Sequence, residues 1–133
     1  VRIAELKKPG ADFAFETTLS TRSYVSLIKK AQIAGYKISL LYFWLSSPKI
    51  AIERVAKRVS KGGHNIPIEV IERRYYRGLN NLYQMYMPIC NEWTLIDNMD
   101  LVPEVIAKND SFGKAIFNDE LWDIIIQQSH EKR

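Results

Sequence analysis

Nine consecutive residues constrain this chain more than any others: Lys37-Ile38-Ser39-Leu40-Leu41-Tyr42-Phe43-Trp44-Leu45. A surface helix or a half-exposed strand would break such a run with polar residues at a period of 3.6 or 2. Near-continuous apolar character is what a strand needs when both of its faces are covered. Ser46-Ser47-Pro48 follows at once and reads as a helix start. Ser47 stands at the N-cap and Pro48 in the first turn, where a missing N–H costs nothing. A strand that feeds straight into a helix predicts an α/β fold built on a parallel sheet.

The flanking segments alternate in the same way. Tyr24, Leu27, Ile28, Ala31 and Ala34 recur at helical spacing through residues 22–34, and Gly35 is a suitable C-cap. The helix from Pro48 to about residue 60 has a buried side marked by Ile52, Val55, Ala56 and Val59. Lys61-Gly62-Gly63-His64-Asn65 reads as a mobile polar loop. Pro67 opens a long helix to about residue 87, with Glu69 and Glu72 near its positive end and Ile71, Tyr75, Leu79, Leu82 and Tyr86 as its apolar face. Residues 93–98 read as a strand, 102–116 as a hairpin, and 119–129 as a closing helix capped by Asn118. At the front, residues 3–8 read as a helix end stopped by Pro9-Gly10, and residues 12–18 as a strand. Three core strands are few for a parallel sheet flanked by helices, so a partial fold is expected.

At 133 residues the chain is long enough for one domain. Its 47% hydrophobic content, with seven Tyr, five Phe and three Trp, excludes a disordered chain. Trp44 and Trp93 are expected in the core or at a sheet edge, with Trp122 packing the closing helix. The formal net charge of +4 suits an anionic partner without choosing between nucleotide, phosphorylated sugar, nucleic acid and acidic protein. Cys90 is the only cysteine, which rules out an internal disulfide and points to a reducing, cytoplasmic setting. His64 and His130 lie far apart with no ligand-spaced company, so no metal site is expected. No apolar run reaches membrane-spanning length, and the opening residues from Val1 do not read as a signal peptide, so none is expected in this stretch.

Several segments, in this order and spacing, carry a family resemblance. They are Phe13-Ala14-Phe15-Glu16-Thr17-Thr18-Leu19-Ser20, the run from Ala34-Gly35-Tyr36 through Leu45 to Ser47-Pro48, Glu53-Arg54-Val55-Ala56-Lys57-Arg58-Val59, Gly62-Gly63-His64, Ile66-Pro67 and Ile71-Glu72-Arg73-Arg74-Tyr75. Together they resemble the zeta-toxin-like P-loop kinases over nearly the whole chain. The resemblance implies an ATP-dependent kinase using Mg²⁺ and a small-molecule phosphate acceptor. In characterised toxins that acceptor is a UDP-activated amino sugar, and an antitoxin blocks the nucleotide site. It also implies a lid-like segment at about 54–77, followed by a C-terminal hairpin plus helix at about 102–130.

By the same resemblance, Glu16 and Thr18 match a substrate-contacting Glu-x-Thr, and Arg58 matches a lid arginine that contacts ATP phosphates. A second lid arginine falls near His64, with Arg73 and Arg74 placed to supply its charge from the next helix. Family toxins carry an arginine just after the Glu-x-Thr; here Ser20 stands there and Arg22 follows two residues on. The phosphate-cradling Gly-x-x-x-x-Gly-Lys-Ser/Thr loop does not occur in this sequence. The resemblance places it, with the general base, before Val1. The expectation is therefore a partial P-loop kinase fold, inactive alone, lacking the N-terminal strand–loop–helix.

The residues themselves support part of this. Arg54 and Arg58 are four apart and share a helix face, a spacing that Arg73 and Arg77 repeat. Phosphoryl transfer needs cations around the moving group, and the planar guanidinium fork grips two oxygens. The plain alternative is a solvated basic face paired with Glu53, Glu69 or Glu72. Asp97-Asn98 fits an Asx turn better than a ligand site. Two other functions stay open: a nucleic-acid-binding face on the 54–77 helices, and a non-catalytic module that self-associates through an exposed sheet edge.

Overall fold

The structure is a computed structural model and describes residue 14 and residues 16–131. Helix α1 (Tyr24–Ile33) buries Ile28 and Ala31. It ends in a Schellman turn: Tyr36 N–H donates to the Ala31 carbonyl (2.9 Å) and Gly35 N–H to that of Gln32 (3.0 Å), with Gly35 at φ +95°. The reversal leads into β1 (Ser39–Trp44), which feeds α2 (Pro48–Ser60). A polar turn then precedes a helical rod made of α3 (Ile68–Asn81), a π turn (Leu82–Tyr86) and the short α4 (Met87–Ile89). The chain closes with β2 (Glu92–Asp97), β3 (Glu104–Asp110), β4 (Gly113–Ile116) and α5 (Asp119–Ser129). The Asn118 side chain caps α5, accepting the Leu121 N–H at 3.0 Å.

The sheet order is β1-β2-β3-β4. β1 and β2 pair in parallel, from Ser39 opposite Glu92 to Trp44 opposite Asp97. β2/β3 and β3/β4 are antiparallel, with a bulge between Leu95 and Ile96. This is the expected α/β fold with its C-terminal hairpin and helix. The core joins Trp44, Leu79, Leu82, Tyr86, Leu95, Ile106 and Ile125. Trp93 stacks on Trp122 with ring centroids 5.8 Å apart. Among the described residues no helix is long and apolar enough to cross a membrane.

Five expectations need correction or fall in part outside the described residues. The 37–45 run is not covered on both faces. Among the described residues β1 lies at an edge of the sheet; Leu40, Tyr42 and Trp44 pack on the core, while Leu41 and Phe43 remain 58% and 51% exposed. Ala56 is exposed because α2 packs through a narrow stripe centred on Val55. Ser47 occupies the N-cap position, yet its side chain makes no capping bond. The helix end at 3–8 lies outside the described residues; of the strand expected at 12–18, residues 12, 13 and 15 also lie outside them, while residues 14 and 16–18 are irregular rather than extended in the sheet.

Gln128 ties the closing helix to the crossover between β1 and α2. Its Oε1 accepts the Trp44 indole N–H (3.0 Å), and its Nε2 donates to the Ser46 carbonyl (3.0 Å). The Tyr75 hydroxyl donates to the neighbouring Leu45 carbonyl at 2.6 Å and lies 3.3 Å from the same Oε1. Gln128→Ala leaves the indole N–H of buried Trp44 without this partner and is expected to cost about 1–3 kcal/mol in urea denaturation. Gln127→Ala, on the exposed side of the same turn, should stay within about 0.5 kcal/mol. Burial also pushes the Cys90 thiol up to about 11. A thiol reagent at pH 8 should therefore label native protein roughly a hundredfold more slowly than urea-unfolded protein.

Candidate functional site

A concavity of about 1400 Å³ opens between the chain preceding α1, strand β1 and the pair α2 and α3. Glu16 and Thr18 lie on its wall at the front of the chain, Arg54 and Arg58 enter from α2, and Arg74 enters from α3. The structure thus gathers five of the residues singled out from sequence around one cleft. It does not bring Arg22, Arg73 or His64 to the cleft lining. Arg22 is exposed just before α1, Arg73 is exposed on α3, and His64 is exposed in the turn between α2 and α3.

Lys57 and Lys61, which the sequence reading passed over, also line the cleft. With Arg54 they mark positions i, i+3 and i+7 of one helix face, a spacing visible in the sequence. Among the described residues, the lining holds Lys37, Arg54, Lys57, Arg58, Lys61 and Arg74 and a single carboxylate, Glu16. Lys37 is neutralised by its ion pair with Glu92, and that pair holds the Glu92 carboxyl below the usual carboxylate range. Arg54 is braced, its guanidinium donating to the Asn98 carbonyl at 2.6 Å. Asp97 and Asn98 form the expected Asx turn, with Asp97 Oδ1 accepting the Met99 N–H at 3.1 Å. Among the described residues, neither Arg58 nor Arg74 pairs with a carboxylate. Their charge is left to act on whatever enters the cleft, and the cluster favours a polyanion such as a di- or triphosphate.

Glu16 and Thr18 are exposed on their wall, and the chain is anchored just after them at Leu19. Leu19 is buried and adopts φ +59°, a conformation rare for leucine. Thr18 Oγ1 lies 2.8 Å from Ser20 Oγ, so two hydroxyls stand side by side at the rim. The Leu19 N–H donates to Thr17 Oγ1 at 3.2 Å. Beneath them, burial raises the Tyr42 phenol above its ordinary range, with Tyr75 adding to the effect. Burial likewise raises Tyr75, outweighing its bond to Gln128. Both phenols therefore stay neutral and serve as uncharged parts of the floor. Among the described residues no group of three His, Cys, Asp or Glu is arranged to hold a metal ion.

The sequence that builds this cleft is similar to known proteins. A protein of Haemophilus influenzae (strain ATCC 51907 / DSM 11121 / KW20 / Rd), described only as uncharacterized, is 33% identical over 68 residues, or 51% of this chain. The match spans about half the length of that relative (49%). No solved structure matches. The family described as Zeta toxin matches residues 3–98, a span that takes in the cleft-lining residues of the front loop, β1, α2 and α3. The chain belongs to the zeta toxin family.

Proposed function

We propose that this chain carries the acceptor-binding and lid parts of an ATP-dependent kinase that phosphorylates a hydroxyl group of a small molecule. A UDP-activated amino sugar is the foremost acceptor. The observation that best supports this reading is the cleft itself, whose lining brings Glu16 and Thr18 together with Arg58, Arg74 and further cations. Phosphoryl transfer asks little covalent chemistry of a protein. It asks that donor and acceptor be aligned and that the charge on the transferring group be held by fixed cations.

The residues divide accordingly. Glu16 accepts hydrogen bonds from acceptor hydroxyls or an amide, and the paired Thr18 and Ser20 hydroxyls donate or accept beside it. Arg58 and Arg74 hold phosphate oxygens with their planar forks. Lys57 and Lys61 add charge at the same end of α2. Arg54, fixed by the Asn98 carbonyl, keeps α2 registered against the end of β2. ATP with Mg²⁺ supplies the phosphoryl group when bound. The cations present fit its phosphates, and the reading requires a phosphate-cradling loop and a general base elsewhere in the protein. An antitoxin-type protein that covers the cleft would be the corresponding partner.

The protein expressed from its complete reading frame should phosphorylate UDP-N-acetylglucosamine at the expense of ATP, whereas the 133-residue chain alone should show no turnover. Arg58→Ala is expected to lower kcat about 10²–10³-fold, as for other fixed groups that stabilise transition-state charge. Glu16→Gln should raise the acceptor KM while leaving the ATP KM within about twofold. Absence of ATP binding, together with salt-sensitive RNA or DNA binding, would overturn the kinase reading in favour of a nucleic-acid-binding face.

A further inference from the structure

Helix α3 turns a defined stripe toward the loop that carries Glu16 and Thr18. Arg74, Gly78 and Asn81 are spaced i, i+4 and i+7 along it, so they share a face. Arg74 lines the cleft. One turn on, a Cβ placed on Gly78 would lie 2.5 Å from the Thr18 carbonyl oxygen, closer than real Cβ atoms approach. Only glycine lets the helix and this carbonyl meet, which gives a reason for a glycine in a helix interior, where it is otherwise disfavoured. Asn81, buried at 6% exposure, donates from Nδ2 to the Leu19 carbonyl at 2.7 Å. Tyr86 donates its hydroxyl to the Thr21 carbonyl at 2.5 Å.

The π turn explains how the last two donors reach the same loop. In a regular helix, residues five apart point about 140° away from each other. Leu82–Tyr86 instead forms a π turn, in which the Met87 N–H bonds the Leu82 carbonyl five residues back. Such a turn brings residues five apart nearer to one face. Asn81 and Tyr86 thereby take carbonyls two residues apart on one loop. At the first of these anchors Leu19 is held at φ +59°, a conformation that persists only where the surroundings over-determine it.

We propose that Gly78, Asn81 and Tyr86 are positioning residues. They hold the loop bearing Glu16, Thr18 and Ser20 in one conformation, at a set span from the phosphate-side cation Arg74, and so determine affinity for the acceptor. One rigid helix then carries both the cation for the transferring group and the anchor for the group that receives it. This role rests on the kinase reading above and adds the origin of its acceptor selectivity.

The test uses the protein from its complete reading frame, with ATP and UDP-N-acetylglucosamine as probes. Tyr86→Phe keeps the ring in the core and removes one loop bond; it should raise the acceptor KM about three- to tenfold. Gly78→Ala favours the helix but displaces the Thr18 carbonyl, and should raise the acceptor KM by at least about tenfold, since a misplacement near 1 Å is costly in a reacting geometry. The ATP KM should stay within about twofold in both. A merely structural role would lower Tm and the active fraction without moving either KM.

Amide exchange gives a second measurement: the UDP sugar should slow exchange at residues 16–21 in wild-type protein, and less so in Gly78→Ala. An unchanged acceptor KM in both variants overturns the positioning role and leaves the kinase reading standing. Wild-type protein that binds no ATP overturns the kinase reading, and this role with it. Wild-type protein that turns over ATP, while the UDP sugar neither accepts phosphate nor slows exchange at residues 16–21, overturns the assignment of this loop to the acceptor.

Discussion

Leu79, Leu82 and Tyr86 are wholly buried along one side of the 68–89 rod, and the position of nearly everything else follows from that burial. Full burial of one such side chain contributes about 1.5–3 kcal/mol, so a stripe of three outweighs most local preferences around it. The rod packs on α2 through α3, and on α5 through α3 and the π turn. Its packed face also carries Asn81 and Gly78, which reach the loop ahead of α1. The helix that builds the core is thus the helix that shapes one wall of the cleft.

Polar contacts finish what apolar burial begins. Gln128 satisfies the Trp44 indole and the Ser46 carbonyl at the point where β1 turns into α2, and Tyr75 bonds the carbonyl between them. Trp44 is buried and its partners are half-buried, and leaving a buried group unpaired costs more than an average hydrogen bond contributes. The consequence reaches the cleft, because α2 is the element that carries Arg54, Lys57, Arg58 and Lys61. The α5 helix lies beyond the residues matched by the family, yet it fixes the start of the helix on which the cations stand.

The cleft is cationic because side chains from two helices converge on it, while the carboxylates near them in sequence point elsewhere. Glu53, Glu69 and Glu72 are all within a turn or two of the arginines, and a solvated, self-neutralised basic face was the plain alternative. The lining contains none of the three, and Arg58 and Arg74 are free of carboxylate partners among the described residues. An unpaired cationic concavity is electrostatically costly without an anion and favourable with one.

Local periodicity and punctuation were legible in the sequence. The 3.6-residue stripe of the long helix, the Pro48 start of α2, the Gly35 stop of α1, the hairpin and the Asn118 cap depend on neighbours a few residues apart, and each stands where its pattern indicated. The cleft residues Glu16, Thr18, Arg54, Arg58 and Arg74 were found by family resemblance and by their charge, and their meeting in space was not. The covering of β1 was misread, because a run of apolar residues records hydrophobicity and not what packs on it; Leu41 and Phe43 lie on the open side of an edge strand. The π turn, the αL conformation of Leu19, the Asn81 amide and the Gln128 bridge left no sequence signal beyond a lone Gly78 in a helical pattern. Each depends on contacts between residues tens of positions apart. Sequence determined which helices and strands form, since their bonds close locally; only tertiary packing decided which side chains face one cleft, since that depends on how buried surfaces and long-range hydrogen bonds are satisfied together.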